Sequence, residues 1–114
     1  MAKAEGIVFL QTGGMALALY PRVELAKDVN VAKVRSGGDK FRGITVAYNA
    51  RNRADIDSVL KEAEAEGAKV LKPAQVAFWS GYSGYFPDPV GFLWEVAWNP
   101  CFPVAENGSI QIPA

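Results

Sequence analysis

The stretch FWSGYSGYFPDPVGFLWEVAWNP, residues 78–100, is the densest aromatic run in the chain, and its reading decides the fold. Within it, Asp88-Pro89-Val90-Gly91 is turn chemistry. Pro89 presets φ near about −65° and Gly91 is free to adopt a positive φ, so two strands should flank a chain reversal there. Side chains alternate between the faces of a strand. Beyond the turn, Phe92, Trp94, Val96 and Trp98 therefore fall on one face, and Leu93, Glu95, Ala97 and Asn99 on the other. Glu95 is the anomaly: a carboxylate in the middle of a strand that reads as buried on both faces must line a cavity or have a dedicated partner.

Upstream of this hairpin the pattern forms one complete unit. Residues 44–48 (ITVAY) are β-rich. Asn52 is placed to cap a helix running to about Glu66, with Asp55 in its first turn and Gly67 as its stop. Ile56, Val59, Leu60 and Ala63 form the buried stripe of that helix, and Asp57, Lys61, Glu62, Glu64 and Glu66 its solvated face. Val70 and Leu71 open the next strand, which Pro73 ends or confines to an edge. The order is β-α-β-β-β.

The first part of the chain is less complete. Residues 6–11 and 15–20 are apolar runs separated by Thr12-Gly13-Gly14, a hairpin signal. Gln11 reads as a pocket-facing polar group or as a solvated strand end. Pro21 opens a short connecting helix over residues 22–33, and Ser36-Gly37-Gly38-Asp39 reads as a polar linker. No segment before Gly6 reads as a strand. The expected organisation is a single domain: a partial first module (1–34), a linker (35–42), the complete unit (43–100) and a tail (101–114), with residues 110–113 as a candidate extra strand.

Composition narrows the functions. At 114 residues and 12.3 kDa the chain is one domain's worth, and 50% hydrophobic residues fit a folded core. Twelve basic and twelve acidic residues cancel without a basic block, which argues against nucleic acid and anionic membrane as partners. The N-terminus has no apolar leader pattern and no run is long enough to span a membrane, so a cytoplasmic location is expected. The single Cys101 fits a reducing compartment and reads as a small buried side chain. There is no histidine. That excludes Ser-His-Asp and Cys-His nucleophile systems and leaves any metal site to carboxylates, Cys101 and water.

The Asp-Pro-x-Gly turn followed by a mid-strand Glu, here Phe86-Pro87-Asp88-Pro89-Val90-Gly91-Phe92-Leu93-Trp94-Glu95-Val96, resembles the signature of the glyoxalase / bleomycin resistance / dioxygenase (vicinal oxygen chelate) superfamily. The runs Gly-Tyr-Ser-Gly-Tyr-Phe and Trp-Glu-Val-Ala-Trp-Asn-Pro narrow the resemblance to its glyoxalase-like branch. The resemblance implies an α+β fold in which βαβββ modules form a cupped mixed β-sheet, here with the opening strand and helix of the first module missing. It also implies a small molecule bound in the cup. In many members a divalent metal is held there, with the Glu matching Glu95 among its ligands.

The other ligand positions of that pattern are apolar, absent or near Ile44 and Thr45 in this chain, so no metal or other cofactor is expected. Three roles stay open to Glu95: acid or base, ligand anchor, or structural partner. With Glu95 as the catalytic candidate, Gln11, Tyr48, Trp79, Tyr82, Tyr85 and Leu93 are the candidate ligand-binding residues, in a pocket suited to an apolar or aromatic molecule. Trp94 and Trp98 are assigned to the opposite face, under the helix. The leading function is a metal-free, glyoxalase-like small-molecule protein of uncertain enzymatic status. The alternatives are a metal-dependent lyase or dioxygenase, if the native chain is longer, and a non-catalytic structural or fragment domain. A homodimer is expected, with exchange of the 7–20 hairpin, because the incomplete first module leaves a sheet edge uncovered.

Overall fold

The computed structural model describes residues 2–4, 6–29, 42–77 and 80–112; the 36–39 loop and Trp79 lie outside the described residues. Seven strands and two helices are formed among the described residues. In chain order they are β1 (Ala2–Ala4), β2 (Ile7–Thr12), β3 (Met15–Leu19), α1 (Arg22–Val29), β4 (Thr45–Asn49), α2 (Ala54–Ala65), β5 (Lys72–Val76), β6 (Tyr82–Pro87) and β7 (Leu93–Trp98).

The organising hairpin is β6–β7, joined by the turn at Asp88. Gly91 adopts φ +96°, and its N–H donates to the Asp88 carbonyl at 3.0 Å. One Asp88 oxygen accepts the Val90 and Phe92 N–H groups at 3.0 and 2.9 Å, and the other accepts the Trp94 indole N–H at 3.1 Å. The indole bond and then the backbone donors hold the Asp88 carboxyl below its usual range. Trp94 is thereby tied to the turn and is only half-buried, not the deeply buried ring that its alternation pattern suggested.

Around this hairpin the four-stranded sheet has the order β4-β7-β6-β5, with β4 parallel to β7 and the other pairs antiparallel. A parallel neighbour needs a crossover, and α2 supplies it. The helix does not start on an Asn cap: Asn52 bonds the Asp55 carboxylate at 3.3 Å, and the position before the helix, Arg53, makes no side-chain capping bond. Gly67, at φ +102°, ends it as expected. β5 begins at Lys72, later than expected, and runs through Pro73. The proline is tolerated because β5 is an edge strand and its register shifts between Lys72 and Gln75.

Each face of this sheet carries a helix. On one, α2 buries Ile56 and Leu60 against Ala50 and Val96, with Tyr82, Phe86 and Trp98 at the margin. On the other, α1 sets Val29, supported by Leu25 and Ala26, on Leu71, Tyr85 and Leu93. Gly84 on β6 lets Leu60 approach, because a Cβ there would stand 2.7 Å from Leu60 Cδ1 and 2.8 Å from the Lys72 carbonyl.

The first sheet is an antiparallel meander, β1-β2-β3. Its first strand corrects the sequence reading: Ala2–Ala4 pairs with Ile7–Phe9 of β2. In order and direction the meander matches β5-β6-β7. Among the described residues the tail contributes the bridge Val104 to Ile110 rather than a strand, and the Ile110 N–H donates to the Gly14 carbonyl at 2.9 Å. Phe102 meets Phe9 edge-on, with ring centroids 5.1 Å apart. Cys101 is exposed, contrary to the buried position expected for it. No helix among the described residues is long and apolar enough to cross a membrane.

Candidate functional site

Strand register lines up a row of side chains across the four-stranded sheet. Lys72 of β5 lies opposite Tyr85 of β6, Tyr85 opposite Glu95 of β7, and Glu95 beside Ala47 of β4. Laterally paired residues share a face, so this row looks toward α1 and away from α2. α1 brings Asp28 over it. The Tyr85 hydroxyl donates to Asp28 Oδ2 at 2.5 Å, while Lys72 Nζ donates to the Asp28 main-chain carbonyl at 2.8 Å and lies 3.5 Å from Asp28 Oδ1. Tyr85 is 2% exposed, whereas the Lys72 and Asp28 side chains keep 23% and 27% of their surface. The cluster is therefore anchored in the core and open at its Lys72–Asp28 edge.

Burial governs the electrostatics. Desolvation first, and then the Asp28 charge, push the Glu95 carboxyl up to about 7, against the opposing effects of the Tyr85 hydroxyl and the Lys72 ammonium. The Tyr85 phenol is raised by burial and by the Glu95 and Asp28 carboxylates, so it stays a hydroxyl at any physiological pH. Tyr20 is also raised, by burial and then by Asp28 and Glu24. A carboxyl that titrates near neutrality can give or take a proton, or donate a hydrogen bond to an acceptor oxygen.

The expected site divides. Glu95 and Tyr85 come together as cross-strand partners. Leu93 shares their face but is 3% exposed under Val29 of α1, so it packs in the core rather than lining a pocket. Tyr82 and Tyr48 belong to the other face. Tyr82 donates to the Asp57 carboxylate of α2 at 3.1 Å beneath the Arg53 guanidinium, and Tyr48, paired with Val96, is exposed at an edge. Gln11 is consumed by the tail. Its amide donates to the Gly13 and Ile110 carbonyls at 2.7 and 2.9 Å, and its oxygen accepts the Ile112 N–H at 2.7 Å. Trp79 lies outside the described residues. Sequence reasoning missed Asp28 and Lys72, which sit 57 and 13 residues from Tyr85 along the chain and meet it only through tertiary packing.

Among the described residues no three His, Cys, Asp or Glu side chains converge. Asp28, whose charge acts on Glu95, is already paired with the Lys72 ammonium, which repels a second cation.

A βαβββ unit joined to a matching three-stranded meander, with a mid-strand carboxylate facing inward, defines a class of α+β proteins built from repeated modules. The model of the Glyoxalase/Bleomycin resistance protein/Dioxygenase superfamily matches residues 3–96, and the chain belongs to that superfamily. Among solved structures it is similar to a glyoxalase-related enzyme from Fulvimarina pelagi, at 28% identity and TM-score 0.61, covering 99% of this chain and 78% of that one. A Legionella pneumophila structure described as NAD-dependent benzaldehyde dehydrogenase shares the fold at 13% identity and TM-score 0.64, covering 87% and 76% of the two chains. A superfamily member from Burkholderia phytofirmans shares it at 14% identity and TM-score 0.50, covering 84% and 73%. No curated protein matches the chain.

Proposed function

We propose that the chain binds a small organic molecule with an acceptor oxygen, such as an aromatic carbonyl compound, on the Glu95 face of the four-stranded sheet, without a metal. The observation that supports this most is the half-buried Glu95 carboxyl, poised near neutrality opposite the Tyr85 hydroxyl. A buried carboxyl costs stability unless it is partnered, and one held near neutrality beside a hydroxyl is the kind of group that functional sites use. The protonated Glu95 is the hydrogen-bond donor to the ligand. Proton transfer to or from a bound carbonyl compound is the chemistry the same group can perform. Binding in an intracellular, cytoplasmic setting remains part of this reading.

The test is an amide-resolved NMR titration with a panel of small aromatic aldehydes and ketones. Shifts are expected to cluster at Thr45, Ala47, Ser83, Tyr85, Glu95 and Ala97. Glu95→Met, which removes the donor but keeps about the same length, should weaken binding by about tenfold, the worth of one hydrogen bond. Shifts confined to the α2 face, or unchanged binding by a folded Glu95→Met, would refute the reading.

The same proposal includes a homodimer. β3 presents Met15, Leu17 and Leu19 as an exposed apolar row, and Val46 and Tyr48 of β4, with Ile44 just before it, form another. Exposed apolar rows on edge strands are normally covered by pairing. Light scattering at micromolar concentration should give twice the chain mass, and Leu17→Lys should reduce it to the monomer mass. A folded wild-type monomer would remove this part of the proposal.

A further inference from the structure

The Lys72 ammonium decides what else the Glu95 face can hold. It is fixed from two sides, by the Asp28 carbonyl at 2.8 Å and by Asp28 Oδ1 at 3.5 Å. That carbonyl belongs to the last turn of α1, where carbonyls lack helical donors and the helix dipole is negative, so a cation there is held by the helix end as well as by the carboxylate. The opposite carboxylate oxygen, Oδ2, accepts the Tyr85 hydroxyl, and Tyr85 faces Glu95. One lysine therefore neutralises Asp28 and, through it, orients the phenol beside Glu95.

We infer that Lys72 is the resident cation of this site, an internal substitute for a divalent ion. It excludes metal from the Asp28–Glu95 carboxylate pair and acts as a positioning residue for Tyr85. Without Lys72 the face would present two carboxylates and a phenol, an oxygen-rich set of the kind that suits a hard ion such as Mn²⁺. The inference deepens the metal-free reading of the same face. Its test is read by metal uptake, so it stands or falls independently of whether an organic ligand binds.

The experiment is calorimetric titration of the chelator-treated full chain with Mn²⁺ above neutral pH, comparing wild type, Lys72→Arg, Lys72→Met and the double variant Lys72→Met/Asp28→Asn. Wild type and Lys72→Arg are expected to take up no stoichiometric Mn²⁺. Lys72→Met should gain one site, binding about tenfold or more tighter than any residual uptake by wild type, and the double variant should lose it. Stoichiometric uptake by wild type, or a folded Lys72→Met that gains no site, would overturn the inference. Amine labelling of the wild-type chain covers the case in which Lys72→Met does not fold. Lys72 should react more slowly than the exposed Lys27 and Lys61, and equal rates would overturn the inference as well.

Discussion

The unfolding free energy is expected to fall by about 3 kcal/mol between pH 4.5 and neutral pH because of Glu95 alone, and to do so no longer in Glu95→Gln. Folding raises this carboxyl from 4.5 to about 7. Below pH 4.5 it is protonated in both states and has no effect. Between the two values the unfolded chain releases the proton while the folded chain keeps it, so the folded state binds more protons and stability drops as pH rises. Above about 7 the full penalty is present. Urea unfolding of both proteins across this range isolates the effect as a difference curve, in which Glu95→Gln becomes the more stable protein at high pH. A flat difference curve would mean that the Glu95 carboxyl is solvated like any surface glutamate.

Ile56→Ala should destabilise the fold by about 2–5 kcal/mol, a large part of the 5–15 kcal/mol typical of a small domain. Ile56 is fully buried and joins α2 to the sheet through Ala50, Leu60 and Val96. Truncation leaves a cavity that a helix pinned at Leu60 cannot close, since Leu60 already sits against Gly84 at the limit of approach. Denaturant midpoints would measure this. A loss below about 1 kcal/mol would show that α2 contributes little to the core.

The β6–β7 hairpin and the face of Glu95 were legible because they depend on local rules: a turn motif that reverses the chain and alternation that sorts side chains. The same rule could have gone further. Tyr82 and Tyr85 are three residues apart on one strand, so they cannot share a face, and only Tyr85 can join Glu95. Leu93 has the right parity, but its burial under Val29 depends on where α1 lies, which no strand pattern encodes. Tyr48 required the register of β4 against β7, a long-range choice. Gln11 has the polarity of a pocket group, yet the tail some hundred residues later claims its amide. Asp28 and Lys72 carry no local pattern that marks them out. Their meaning comes from the Tyr85 hydroxyl, which reaches Asp28 across 57 residues of sequence. The short Ala2–Ala4 strand was missed because three residues carry too little periodicity to register, and pairing with β2 defines it.

The most direct measurement is the carboxyl titration of Glu95 itself. Side-chain ¹³C spectra of glutamate-labelled protein, with the resonance assigned by its loss in Glu95→Gln, would follow ionisation without reference to ligand or activity. A midpoint near 7 is expected for the wild-type chain. A midpoint at the usual 4.5 would contradict it, because Glu95 would then be an ordinary charged carboxylate with neither the burial nor the neighbours that make this face a site.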